Sequence, residues 1–145
     1  MAIRDNMAAT IEEAFKANSA MDYDRIRQTH TDDFVHQILP ASLQAATHSN
    51  DGYKHLFDNV LKPGLAKLEI QAVSSTYDVD QKKASVYGTL ECDGLAGPKK
   101  TDFVMMFSFN EDGTKIARID EYLDTDFYKT YFPQVGAALA AKAGK

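Results

Sequence analysis

Hydrophobic and polar residues recur with two different periods along this chain, and the change of period divides it into a first and a second half. In the first half, Met7, Ile11 and Phe15 recur every four residues, and the charged residues between them fall outside that stripe. This spacing predicts an amphipathic helix over residues 6–18. Helical periodicity therefore opens the chain.

A short second helix is predicted next. Asp22 is a candidate N-cap for it, because a carboxylate accepts hydrogen bonds from the free N–H groups of a first turn. Tyr23, Ile26 and His30 are spaced i, i+3 and i+7, so we expect them to share one face of that helix.

An extended piece and a third helix complete the first half. Residues 34–39 read as a short strand that Pro40 stops. Ser49 or Asn50 is a candidate N-cap for the third helix, which ends at Pro63-Gly64. The apolar face of this helix comprises Tyr53, Leu56, Phe57, Val60 and Leu61.

The second half has the composition of strands. Four runs rich in β-branched and aromatic residues cover residues 68–79, 84–92, 101–109 and 115–123. Polar turns separate them, with a longer loop at 93–100, and a closing segment at 127–132 precedes an Ala/Lys-rich helical tail. Helices followed by an antiparallel meander indicate the α+β class.

The run 101–109 is apolar on both faces. Phe103, Met105, Phe107 and Phe109 point one way, and Val104, Met106 and Ser108 point the other. A sheet of this kind must be covered twice. The helices cover one side, and a second copy of the chain covers the other most simply, so we predict a homodimer.

Length, composition and charge exclude several classes of protein. A chain of 145 residues with 44% hydrophobic and 26% charged residues is expected to form one folded domain. The net charge of −5 and the lack of a basic cluster argue against nucleic-acid binding. Cys92 is the only cysteine, no stretch reaches the length of a membrane span, and the amino terminus does not look like a signal peptide. We therefore expect a cytoplasmic protein without a membrane partner.

Two stretches carry a resemblance to a known family. The first is His-Gln-Ile-Leu-Pro-Ala-Ser-Leu at 36–43, followed by Ser-Asn-Asp-Gly-Tyr at 49–53. The second is Glu-Asp-Gly-Thr-Lys-Ile at 111–116, which leads into Asp-Glu-Tyr-Leu-Asp-Thr at 120–125. Together with the order of elements, they resemble the SnoaL-like polyketide cyclases and isomerases of the nuclear-transport-factor-2-like superfamily, especially the short fungal proteins of secondary metabolism.

The resemblance implies a cone-shaped fold in which N-terminal helices pack on a curved antiparallel sheet around one cavity. It implies a single domain over residues 1–145, with a core at about 7–132 and a tail at 133–145. Members of this superfamily share the fold without sharing a chemistry. They include isomerases, cyclases, dehydratases, epoxide hydrolases and binding modules that do not catalyse a reaction.

Glu121 and His36 are the main candidates for catalysis. Glu121 lies between Ile119 and Leu123 on an apolar strand face, where a carboxyl group is suited to proton transfer. The alternatives are a solvent-exposed strand edge, a partner for Arg118 or a dimer contact. His36 lies near the position where similar isomerases carry their general base. Its alternative is a structural histidine that donates to a backbone carbonyl. If both residues act on one substrate, we expect them on opposite walls of one pocket.

A second group of residues is expected to hold the substrate. Tyr53 is a candidate catalytic donor to a developing oxyanion, or it simply fills core volume. The candidate lining residues, some of which are equally explained by helix packing, are Tyr23, His30, Phe57, Val104 and Met106. By contrast, His55 is expected to face solvent, and His48 falls in a loop.

Motifs for bound groups are missing from the sequence. The histidines do not pair at metal-binding spacing, and neither a phosphate-binding glycine loop nor a Gly-x-Ser-x-Gly motif is present. We therefore predict an acid–base site without metal or cofactor.

Two functions of different classes follow. The first is a cofactor-independent isomerase, cyclase or dehydratase that acts on a hydrophobic polyketide- or terpenoid-like molecule. The second is a module of the same fold that binds a ligand or a protein without turnover. An epoxide-opening variant is less favoured, because the run 101–109 carries no arginine.

Overall fold

The helical first half folds largely as its periodicity predicts. The structure is a computed structural model that describes residues 2–144. Met1 and Lys145, the ends of the predicted domain, lie outside the described residues. Helix α1 spans Ile3–Ser19 and helix α2 spans Tyr23–Gln28. The side chain of Asp22 caps α2 as predicted, because it accepts a hydrogen bond from the backbone N–H of Arg25.

The third helical segment is continuous but contains a wider turn. It consists of α3 (Asn50–Leu56), a π-helical turn (Phe57–Leu61) and α4 (Lys62–Gly64). Of the two predicted caps, Ser49 is the one used, since its hydroxyl accepts from the backbone N–H of Gly52 at 3.2 Å. The side chain of Asn50 is therefore free for other contacts.

Five strands form one curved sheet: β1 His30–Leu39, β2 Leu65–Asp78, β3 Lys83–Gly94, β4 Lys99–Phe109 and β5 Ile116–Leu123. Their order in the sheet is β1-β5-β4-β3-β2. The last four strands are the predicted antiparallel meander, but β1 lies parallel to β5. The sheet is thus mixed rather than wholly antiparallel. Local sequence did not reveal this pairing, because the partners lie more than 80 residues apart.

Three predicted boundaries are wrong. Helix α2 ends at Gln28, so His30 begins β1 and pairs with Ile116 instead of extending a helical face. Strand β1 is accordingly ten residues long. Half of the predicted loop at 93–100 is strand, because β3 continues to Gly94 and β4 starts at Lys99, which leaves only residues 95–98 as the turn.

The chain closes with a π-helical turn (Phe127–Tyr131) and helix α5 (Phe132–Ala143). Val135 is buried and Leu139 packs against the core, so the packed part extends beyond the predicted boundary at 132. Gly64 allows this approach: a Cβ atom built there would lie only 2.4 Å from Cγ1 of Val135. Helix α5 therefore docks directly on the end of α4.

The core lies between α1 and the concave face of the sheet. The Phe15 ring contacts Phe103 and Phe107 of β4, with ring centroids 6.0 and 6.2 Å apart. The convex face exposes several large apolar side chains, among them Val104 and Tyr122. No helix within residues 2–144 is long and apolar enough to cross a membrane.

Candidate active site

A cavity of about 360 Å³ opens between the helices and the concave face of the sheet. Its volume is in the range usual for small-molecule sites. Most of its wall is apolar and includes Leu68, Leu90, Phe103, Met105 and Leu123. A few polar side chains interrupt this wall, and the chemistry of the cavity depends on them.

His36 and Glu121 form the polar centre of this wall. Nε2 of His36 lies 3.0 Å from Oε1 of Glu121, and the two side chains are only 12% and 8% exposed. We expected them on opposite walls, but they are neighbours on one wall. The reason is the parallel pairing of β1 with β5, which sets Ile38 beside Glu121 and His36 beside Ile119.

The hydrogen bond between the two side chains has a defined direction when Glu121 is ionised. A carboxylate only accepts, so Nε2 of His36 must carry the proton that they share. The second carboxylate oxygen, Oε2, has no hydrogen-bond partner within residues 2–144 and is free to meet a ligand. Nδ1 of His36 is buried and has no partner in the same part of the chain.

Arg118 does not provide a partner for this carboxylate. It faces the convex side of the sheet and binds Asp120 through two of its nitrogens at 2.9 Å. The structure thus contradicts the alternative in which Glu121 pairs with Arg118.

Tyr53 projects from α3 into the same cavity. Its hydroxyl donates to Oδ1 of Asn18 at 2.9 Å, and Nδ2 of Asn18 donates to the carbonyl of Ala14 at 2.8 Å. Burial, and next the charge of Glu121, raise the pKa of Tyr53, so its phenol stays neutral. Because its proton is already given to Asn18, Tyr53 offers a lone pair in this arrangement rather than the oxyanion donor we expected.

His30 also lines the cavity, from the start of β1. Its ring stacks on Phe34 with centroids 3.6 Å apart, and its Nδ1 lies 3.1 Å from Oδ1 of Asn50. Burial is the main reason that its pKa falls to about 4. His30 is therefore a neutral imidazole at pH 7.

The other four predicted lining residues do not reach the cavity. The Tyr23 ring stacks behind Tyr53, and Phe57 packs behind Tyr23 in the core. Val104 and Met106 lie on the convex face, because alternate residues of β4 point to opposite sides and Phe103, Met105 and Phe107 take the cavity side. The sequence analysis separated the two faces of β4 correctly, but it assigned the convex-face residues to the substrate.

Sequence reasoning missed three polar residues of the cavity region: Asn18, Asn50 and His48. Asn18 continues the stripe of Ile11 and Phe15 on α1, so its spacing was a usable signal. Asn50 was considered only as a cap. His48 had no local signal, since it joins the wall by exchanging two backbone hydrogen bonds with His36.

Two kinds of site are not assembled in the part of the chain that is described. Among residues 2–144, no group of three or more His, Cys, Asp or Glu side chains could hold a metal ion. The cavity wall formed by these residues also contains no Arg or Lys. This wall therefore does not supply the arginine that the less favoured epoxide-opening variant would need.

Curated relatives of similar length share about a quarter to a third of their residues with this chain. The sequence matches no known protein-family model. It is 30% identical to a protein named monooxygenase nsrS from Aspergillus novofumigatus, over 97% of this chain and 95% of that protein. It is 26% identical to one named monooxygenase dmxR10 from Cryptosporiopsis sp., over 90% of this chain and 87% of that protein.

Solved structures share the fold at lower identity. BvnE pinacolase from Penicillium brevicompactum matches with a TM-score of 0.85 and 17% identity, over 93% of this chain and 94% of its own. TerC, crystallised with polyporic acid, matches with a TM-score of 0.73 and 16% identity, over 88% and 98%. These likenesses confirm the predicted cone-shaped α+β fold.

Proposed function

This chain belongs to the family of fungal proteins that includes monooxygenase nsrS, and it has the nuclear-transport-factor-2-like cone fold; from that membership and fold we propose that it is a SnoaL-like enzyme of secondary metabolism. Its substrate is a hydrophobic polyketide- or terpenoid-like small molecule. Its reaction is an isomerisation, cyclisation or dehydration by acid–base catalysis without a bound cofactor.

One observation carries this proposal: the His36–Glu121 pair lies in the wall of a largely apolar cavity. Keeping a carboxyl group buried is costly unless its environment compensates. Such groups concentrate at functional sites. A cavity filled by apolar side chains would favour a binding module, whereas an open cavity with polar groups in its wall favours catalysis.

We assign Glu121 as the group that takes a proton from the substrate through Oε2. His36 donates to Oε1, which holds the carboxylate in place and supports its charge. The proton then returns to the substrate at another atom, which moves a double bond or allows a ring to close. Tyr53 and Asn18 orient the substrate from the helical side.

Proton abstraction can be tested with anthrone, an apolar ketone with an acidic methylene group. In D2O under argon, the protein should accelerate deuterium exchange at that methylene, measured by proton NMR. The Glu121→Gln variant should lose the acceleration, and Glu111→Gln, a change at an exposed turn, should keep it. Exchange at the uncatalysed rate with the unaltered protein would contradict base catalysis on this class of molecule.

A second reaction deserves a test because the relatives carry the name monooxygenase. The same base could form the carbanion of anthrone, which reacts with O2 to give a hydroperoxide. Loss of water then leaves anthraquinone. The sum is one anthrone and one O2 converted to one anthraquinone and one water. An oxygen electrode with anthrone in air separates the two reactions: O2 uptake that depends on Glu121 favours monooxygenation.

The homodimer is also a proposal, supported by the apolar convex face. Tyr87, Val104 and Tyr122 are large side chains that remain 38–49% exposed there. Burying such a patch against a second copy would remove it from water. Light scattering should give about twice the chain mass of 16.1 kDa. The Val104→Asp variant should lower the measured mass toward that of a single chain. A monomer at micromolar concentration would contradict this proposal.

A cytoplasmic location is the last part of the proposal. The lone, buried Cys92 supports it, because a chain with one cysteine has no internal disulfide that an oxidising compartment would have to form. A fluorescent fusion observed in a fungal host tests the location.

A further inference from the structure

His30 has a fixed hydrogen-bonding role that the proton transfer by Glu121 does not use. The residue is 4% exposed and lines the cavity at the start of β1. The ring stacks flat on Phe34, with an interplanar angle of 4°, and meets the Tyr53 ring edge-on at 6.3 Å. Packing on both sides therefore holds the plane of the imidazole.

Asn50 determines which nitrogen of His30 carries the proton. Nδ2 of Asn50 donates to the carbonyl oxygens of Thr31 at 2.9 Å and Asp32 at 3.3 Å. These two acceptors orient the amide, so its oxygen must face Nδ1 of His30. An amide oxygen only accepts, and Nδ1 must therefore be the N–H.

The other ring nitrogen is left with a lone pair. A neutral imidazole carries one proton, so Nε2 of His30 is an acceptor. No hydrogen bond joins it to residues 2–144. Because the ring lines the cavity, the donor that satisfies Nε2 has to come from a ligand or a solvent molecule.

We propose that Nε2 of His30 accepts a hydrogen bond from a phenolic or enolic hydroxyl of the substrate, so that the cavity selects hydroxylated aromatic molecules over their O-methyl ethers. This inference deepens the proposed function and rests on it. An ether at the same place would exclude water from Nε2 without giving it a donor, and an unpaired buried acceptor is costly. Selection for the free hydroxyl follows from that cost.

The test compares two probes that differ by one methyl group, 1-naphthol and 1-methoxynaphthalene. The chain has no tryptophan, so probe fluorescence can be excited without background from indole. The unaltered protein should bind the naphthol more tightly by about tenfold after correction for the partition of each probe into octane. His30→Phe keeps an aromatic ring against Phe34 and should abolish this preference. His55→Gln, on the exposed face of α3, should retain it.

A measurement on the unaltered protein avoids any dependence on the folding of a variant. Long-range proton–nitrogen NMR should show His30 with a protonated Nδ1 and a bare Nε2, and naphthol but not its ether should shift the Nε2 signal. A protonated Nε2, or equal binding of the two probes while anthrone exchange still needs Glu121, overturns this inference alone. Failure of both probes to bind would overturn the small-molecule cavity as well.

Discussion

Asp120 and Glu121 are consecutive carboxylates on β5, and they lie in opposite environments. Asp120 points to the convex face, where it forms a bidentate pair with Arg118 that is partly exposed. Glu121 points to the concave face, where it is buried and bonds to His36. The alternation of a strand is enough to separate them.

Environment, not residue type, therefore makes one of these carboxylates a candidate for catalysis. A surface ion pair typically contributes about 0–1 kcal/mol, because water competes for both groups. In a buried cavity there is little water to compete, so each polar group depends on its protein partner or its ligand. Substitutions on the concave face should therefore have larger effects than matched ones on the convex face.

The largest contrast is expected between Glu121→Gln and Asp120→Asn. Each change removes a charge while conserving shape. Glu121→Gln should lower turnover by about a hundred- to ten-thousand-fold, the usual contribution of general acid–base catalysis. Asp120→Asn should change it by about twofold or less. Rates of deuterium exchange into anthrone measure both, and equal losses would break the contrast.

The next effect concerns stability. Asn50→Ala removes the acceptor for His30 and the donor to two backbone carbonyls of β1. We expect it to lower the free energy of unfolding by about 3 kcal/mol, since buried partners are left unpaired. Arg118→Ala on the convex face should cost about 1 kcal/mol or less. Urea unfolding followed by circular dichroism compares the two, and similar losses would count against the contrast.

Acid should weaken the protein through His30. Its pKa falls from 6.5 to about 4 on folding, so the unfolded chain binds a proton between these pH values and the folded chain does not. Stability due to the neutral ring is complete above pH 6.5 and is lost as the pH falls toward 4. We expect a loss of about 2 kcal/mol from this group between pH 7 and pH 4.5.

Urea unfolding at the two pH values should show this slope in the unaltered protein and in His55→Gln. In His30→Phe, the loss of stability between pH 7 and pH 4.5 should be smaller by about the same 2 kcal/mol, because the titrating group is gone. If the slope persists unchanged in His30→Phe, a different group is responsible for the acid sensitivity.

The smallest effect is expected at the tyrosines. Tyr53→Phe removes one hydrogen bond to Asn18 and should reduce stability by about 1 kcal/mol and turnover by about tenfold or less. Tyr87→Phe is the matched change on the convex face, where the hydroxyl bonds to exposed Asp102. It should leave stability and turnover unchanged. A loss at Tyr53 as large as that at Glu121 would move the tyrosine into the chemical step itself.

Much of the fold was predictable because it follows local patterns. The first helix, the Asp22 cap, the helix end at Gly64 and the four meander strands all rest on spacing or on turn residues within a few positions. The predictions for Glu121 and His36 also placed both side chains in the cavity. The predictions for Val104 and Met106 were wrong, because the alternation of side chains along a strand separates its two faces but does not show which face the helices cover.

Local sequence patterns are enough to predict the class of fold, the resemblance to a family and the separation of the two faces of each strand, because these depend on periodicity and on short motifs. The parallel pairing of β1 with β5 is seen only in the folded chain. That pairing brings His36 beside Glu121 across 85 positions and makes them neighbours on one wall. The tertiary fold also places Asn50 of α3 against His30, and this contact fixes which ring nitrogen of His30 carries the proton. Contacts of this kind join residues far apart in the chain, and no local pattern records them.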